Sequence, residues 1–464
     1  MYARKFLCQT VRWLPLVGAI FLFVSPIALA EQSDPIILHV DRTPVRVGAY
    51  STFAELREPL RQALIDCHRK EAVQELDREE KGIFSLRTAH AIRTLAACPN
   101  FKQLQMSREA VKGTLTVSVW NALLKSTPVP NLEDKIEAMT LTFEATDFGR
   151  KPEWNFCQDS PNPLAVAASP EDTSLACRNS TDPCSMLTWG PRGATAGQGR
   201  ELQWIVGNAT RRNTRLTQQA FGTEFPNVLR FLELVPPPIE SCDGTSPLEH
   251  FMCAVWVDPM RRKIWEDGLT ELGRHQSVRD TYRQVYARED FDGYKIKSYI
   301  DLWRSVGLEP TEVDYAFFHD RATFIGAPPD SADIMPSLLS CIETQDKAAT
   351  RNAATRRCLA QLHPHPTMPQ DRLARDVAFY IDAFPSGARS AKEVRSWNHH
   401  IPITAVRTFG LSDTELADLA GLLTTEANDI EAPKFHSDAL TDFELECPAR
   451  IRQPDRSPAN TRGD

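Results

Sequence analysis

The chain has 464 residues, 25% charged and 42% apolar, and a formal charge of −8. An acidic chain without a basic block lacks the electrostatic footprint of a nucleic-acid binder, so no nucleic-acid partner is expected. The length exceeds one typical core, so two or three domains are expected.

Residues 1–30 read as a signal peptide. Arg4, Lys5 and Arg12 give a positive start, Leu14 to Ala30 is mostly apolar, and Ala28-Leu29-Ala30 is a small-x-small cleavage site. Pro15 and Pro26 interrupt the run and no stop-transfer pattern follows, which favours cleavage over an uncleaved anchor. The expectation is a periplasmic or secreted protein with no membrane span left after cleavage. Losing those three cations takes the charge from −8 to −11. Cys8 leaves too, and ten of the 11 cysteines remain. An even number in an exported chain points to disulfides, with Cys67–Cys98, Cys242–Cys253 and Cys341–Cys358 as local pairings. No CxxC pair occurs and the histidines are scattered, so neither a metal site nor a cofactor is expected.

Residues 31–125 read as a small helical module. Phe53, Leu56, Leu60 and Leu64 have helical spacing in a segment running to Glu75, and a second helix spans about Leu86 to Ala97. Gly82-Ile83-Phe84-Ser85-Leu86-Arg87-Thr88-Ala89, then Gly113, Thr116, Trp120 and Leu123, resemble the peptidoglycan-binding domain 1 family. The match covers roughly sixty residues, and that family's usual Gln after the second helix is not evident. The resemblance implies binding to a glycan or its peptide stems. The other reading makes Trp120 and Leu123 core residues of an ordinary helical module.

Ser126 to Pro130 is a linker, because Pro128 and Pro130 cannot continue a helix. Asn131 can cap the next helix, where Leu132, Ile136, Met139 and Phe143 form one buried stripe. Glu144 lies at the edge of that stripe. If the helix persists until Gly149 stops it, Asp147 shares Glu144's side. The segment 150–183 is a long polar loop carrying Cys157 and Cys177. Met186 to Trp189 is β-prone, Gly190, Gly193, Gly197 and Gly199 allow tight turns, and Glu201 to Ile205 opens another helix.

A helix-end acid followed by Leu187-Thr188-Trp189-Gly190 and Gly193-Ala194-Thr195 resembles the lysozyme-like superfamily of glycoside hydrolases and lytic transglycosylases. Tyr282, Val285 and Tyr286, then Val306-Gly307-Leu308 and Asp314 to Thr323, extend the resemblance over roughly 131–330, toward its chitosanase-like and phage-lysozyme-like members. The long 150–183 loop departs from it. The fold expected is mainly α (α+β): a lysozyme-like helical domain over 131–330 with a small β-hairpin wall. The N-terminal helical module precedes it, a helical region over 331–447 follows, and 448–464 is a disordered tail.

The resemblance implies an exported enzyme cleaving the β-1,4 glycan of peptidoglycan, with chitosan cleavage or non-catalytic envelope binding as alternatives. Proton donation to a glycosidic oxygen needs a carboxyl whose pKa is raised by apolar burial. Glu144, between Phe143 and Ala145 and close to Trp154 or Trp189 in such a fold, is the candidate general acid. Asp147, Asp159 and Glu201 are candidates for the second carboxylate, which an inverting or retaining hydrolase needs and a lytic transglycosylase does not. Thr188, Thr195 and Gln198 are candidates to hold water or N-acetyl groups, and Trp189 to stack a sugar ring or fill the core. His319 and Asp320 read as cleft support or as a buried polar network. His399-His400 reads as surface or packing rather than metal. GPRGATAGQGRE lacks the Lys-Ser/Thr pair of a P-loop, and no GxSxG elbow occurs.

Overall fold

A computed structural model describes residues 34–38, 44–144, 147–154, 185–197, 199–236, 246–345, 351–366, 369–370, 373, 376 and 430–435. The side chains of Met139, Thr142, Phe143, Glu144, Val257 and Glu312 lie outside that description. The fold is mainly α, with small antiparallel sheets.

In chain order come β1 (Ile36–Leu38), β2 (Val45–Arg46), α1 (Arg57–Asp66), α2 (Lys70–Asp77), β3 (Ile83–Phe84), α3 (Leu86–Ala96), α4 (Lys102–Gln105), β4 (Leu115–Thr116) and α5 (Val117–Leu123). β1 pairs with β4 and β2 with β3, both antiparallel. The helix starts are written in local chemistry. Ser85 caps α3 by accepting from the Arg87 amide at 3.1 Å, and Thr116 caps α5 by accepting from the Val119 amide at 3.3 Å. The buried Glu79 carboxylate accepts from the Ser85 amide and from the Ser85 and Thr88 hydroxyls. Trp120 is fully buried and donates its indole N–H to the Thr127 carbonyl at 3.0 Å, a core role. Disulfide Cys67–Cys98 joins the turn after α1 to the end of α3.

α6 spans Leu132–Glu144. Asn131 and Asp134 cap it reciprocally, each accepting from the other's amide at 3.0 Å. Leu132 and Ile136 are buried, as the stripe requires. The helix stops at Glu144, earlier than Gly149, so Asp147 does not share a helical face with it. Then come β5 (Glu153–Trp154), β6 (Ser185–Trp189) and β7 (Ala194–Gly197), one antiparallel sheet in that order. The hairpin turn needs Gly190, at φ +79, where a Cβ would lie 2.7 Å from Tyr282 Cε2.

The remaining described elements are helices: α7 (Glu201–Arg212), α8 (Thr214–Phe221), α9 (Phe225–Glu233), α10 (Pro247–Val257), α11 (Pro259–Gly273), α12 (Gln276–Ala287), α13 (Gly293–Ser305), α14 (Glu312–Phe324), α15 (Ser331–Thr344) and α16 (Arg351–Leu362). Capping boxes Ser246/Glu249 and Thr311/Asp314 start α10 and α14. Cys341–Cys358 ties α15 to α16. Cys253 is also disulfide-bonded.

Apolar packing crosses the boundaries suggested by the sequence. One core joins the N-terminal module and the start of α6 to α13, α14, α15 and α16, through residues such as Phe53, Trp120, Ile136, Trp303 and Leu359. A second joins the three-stranded sheet to the helices from α7 to α12, through Trp189, Ile205, Phe231, Trp265 and Tyr282.

Candidate functional site

The three-stranded sheet carries a polar row on one face. Glu153 of β5 pairs with Thr188 of β6, and Thr188 pairs with Thr195 of β7. Directly paired residues point to the same face of a sheet. In β6, Ser185, Met186, Leu187 and Trp189 are buried while Thr188 is half-buried; in β7, Thr195 is half-buried between Ala194 and Ala196. In β7 the half-buried Thr195 alternates with buried Ala194 and Ala196, which face the second core, while in β6 Met186, on the same face as Thr188, is buried as well.

Glu201, the first residue of α7, completes the row. Its Oε2 accepts from the Thr195 hydroxyl at 2.8 Å and the Thr195 amide at 3.3 Å. The chain reaches it through Gly199 and Arg200, the latter at φ 64. Gly199 is packed hard against the carboxyl: a Cβ there would lie 2.2 Å from Glu201 Oε2 and 2.3 Å from Thr195 Oγ1. Burial pushes the Glu201 carboxyl above the ordinary range, and this outweighs the Thr195 hydrogen bonds that favour the ionised form. Glu201 is half-buried rather than sealed, so a carboxyl that favours its proton keeps a route to solvent. Glu153 is also half-exposed, and among the described residues its side chain makes no hydrogen bond or ion pair.

A buried polar network holds the hairpin turn against the helices. Arg192 donates to Glu133 Oε2 at 3.2 Å, and Tyr315 donates to Glu133 Oε1 at 2.8 Å. The Arg192 amide donates to the Tyr282 hydroxyl at 2.8 Å, and Tyr286 donates to the Arg192 carbonyl at 3.2 Å. Burial opposes ionisation of Glu133, yet its carboxyl is held below the ordinary range. Burial lowers His319 to about 3, so it is neutral at pH 7, and Arg192 with the Tyr315 hydrogen bond carries that stabilisation. Lys295 donates to Asp292 Oδ1 at 3.0 Å, while Asp292 Oδ2 and His319 Nε2 are buried with no hydrogen-bond partner among the described residues.

The structure brings Thr188, Thr195 and Glu201 together. Two other candidates are engaged elsewhere, Trp189 in the core, the second of its two readings. Trp189 is 1% exposed, edge-on to Phe148 at 5.2 Å and to Tyr282 at 5.8 Å, so no ring face is open to a sugar. Asp147 accepts from the Ala49 amide at 2.8 Å and the Gly149 amide at 3.3 Å, clasping the N-terminal module to the chain after α6. Glu144 is the last residue of α6; its side chain lies outside the described residues, as do Asp159, Gln198, His399 and His400. His319 and Asp320 are both 5% exposed. No signal in the sequence points to Glu153, whose two-residue strand is too short to show a period, or to Glu133 and Arg192, which pair across 59 residues of chain.

Among the described residues no group of histidine, cysteine, aspartate and glutamate side chains is arranged to hold a metal ion, and no helix is long and apolar enough to cross a membrane. No protein-family pattern, curated protein or solved structure matches this chain.

Proposed function

We propose that this chain is an exported glycosidase cleaving the β-1,4 glycan of peptidoglycan, with Glu201 as general acid and Glu153 as the second carboxylate. The observation that carries the reading is the row on the sheet. One carboxyl has its proton affinity raised by burial and is oriented by Thr195, and a second carboxylate, without a partner among the described residues, lies two strands from Thr195 on the same face. Strands lie about 4.8 Å apart, so the Glu153 and Thr195 backbones are separated by about 9.6 Å. Two strand spacings leave room for a water between Glu153 and a sugar held beside Thr195, which is what an inverting mechanism requires. The Glu201 proton goes to the leaving glycosidic oxygen as the C1–O bond breaks. Glu153 takes a proton from water, whose oxygen bonds to C1 on the opposite face. Disulfides Cys67–Cys98 and Cys341–Cys358 support an oxidising, extracytoplasmic setting.

Purified sacculi incubated with Glu153→Gln and Glu144→Gln test the assignment of roles. The expected result is loss of new reducing ends in Glu153→Gln by about 100-fold or more, the usual scale for removing acid or base assistance. Full activity in Glu153→Gln with anhydro-sugar products points instead to a lytic transglycosylase. Loss in Glu144→Gln alone moves the acid to the end of α6. Binding of sacculi by the unaltered chain without cleavage refutes the enzymatic reading.

A further inference from the structure

A cavity of about 110 Å³ lies where the N-terminal module meets the chain after α6, away from the polar row. Its floor is bare backbone at Gly48, Gly82 and Gly149. Gly48 and Gly82 sit at φ +85 and +79, and at Gly82 a Cβ would lie 2.4 Å from the Ala49 nitrogen, so a side chain there is excluded twice over. Gly149 is close against the Tyr50 ring, 3.1 Å from an added Cβ to Tyr50 Cε2.

The rim is charged. Arg46, Lys81 and Arg150 line it, with Glu80 and Asp147 as the acids. Asp147 is occupied by the Ala49 and Gly149 amides. Lys81 lies over the Tyr50 ring, 5.0 Å from its centroid, and is otherwise exposed. Arg150 is exposed, and its side chain contacts no described residue through a hydrogen bond or ion pair. Arginine and lysine around an enclosed backbone floor attract an oxyanion, and guanidinium geometry suits a carboxylate. A water takes about 30 Å³, so the space holds three or four waters, or one carboxylate on a short carbon branch.

We propose that this cavity is a binding site for the carboxylate of a small organic acid, with Arg150 and Lys81 as its ligands. The site stands whether or not the chain cleaves glycans, because it is separate from Glu153 and Glu201. Binding alone tests it. The probes are N-acetylmuramic acid, which carries a lactyl carboxylate, and N-acetylglucosamine, the related sugar without it, titrated into the full mature chain by calorimetry or NMR. The expected result is saturable binding of the acid only, weakened at least fivefold in Lys81→Ala/Arg150→Ala and weakened again by raising salt from 0.1 to 0.5 M. Glu80→Gln, which removes the remaining rim carboxylate, should tighten it. Lys81 and Arg150 hold no structural contact beyond the Tyr50 ring, so the double variant is expected to melt with the wild type. Equal binding of the two sugars, no binding of either, or an unchanged affinity in a folded double variant overturns the proposal.

Discussion

Gly199→Ala probes the carboxyl at the centre of the site without touching its chemistry. The φ of Gly199 lies outside the left-handed range, so alanine is tolerated by the backbone. The added Cβ, however, falls 2.2 Å from Glu201 Oε2, where ordinary contact begins near 3.4 Å. The flexible end of Glu201 yields first, and the carboxyl must retreat by about 1.2 Å to restore contact distance. That retreat gives up the hydroxyl and amide bonds from Thr195. Two hydrogen bonds at about 1 kcal/mol each, offset by about 0.5 kcal/mol from the stiffer unfolded chain, leave a loss of about 1.5 kcal/mol. A misplacement of about 1 Å at a reacting group costs about 100-fold in rate. Differential scanning calorimetry and release of reducing ends from sacculi should therefore show a melt lower by a few degrees and activity down by about two orders of magnitude. Wild-type melting and wild-type cleavage together would refute the role given to this packing.

Three further outcomes follow from the same geometry. Because burial raises the Glu201 carboxyl, the folded chain binds that proton more tightly than the unfolded chain, so wild type loses stability as pH climbs from about 4.3 through the raised value. Glu201→Gln, permanently uncharged, escapes that loss: its Tm should exceed that of wild type at pH 8 and the gap should close near pH 4, and a gap independent of pH contradicts the burial argument. Reducing Cys67–Cys98 and Cys341–Cys358, which close separations of 31 and 17 residues, should cost about 3.7 and about 3.1 kcal/mol on the chain-entropy model, read as a lower Tm in reductant; an unchanged Tm counts against both pairings. Trp189→Ala should destabilise by about 3–5 kcal/mol as a core deletion, whereas an unchanged Tm with a raised KM would restore the sugar-stacking role.

Periodicity made much of the framework legible. Leu132 and Ile136 announce the buried face of α6, Asn131 announces its start, and the Gly-rich turn between β-prone residues announces the hairpin with Thr188 and Thr195. What escaped depends on distant partners. The face Trp189 presents is decided by Tyr282, 93 residues on, which also takes part in hydrogen bonding at the hairpin turn. Asp147 lies beyond the end of α6, where its carboxylate accepts from the Ala49 amide, 98 residues earlier. Glu153 acquires its place only when Thr188 pairs with it across a gap of more than thirty residues in the chain. The core shared by the N-terminal module and α13 to α16 is likewise a matter of long-range packing, which local spacing does not encode.

On the proposed reading the Glu201 carboxyl, its proton affinity raised by burial, delivers its proton to a glycosidic oxygen. Wild type and Glu201→Gln compared on purified sacculi, at matched folded concentration near neutral pH, measure this most directly. Glutamine, equal in size and able to accept from Thr195, is expected to leave the fold intact and to cut product release by at least about 100-fold. Undiminished release by the folded variant would contradict it.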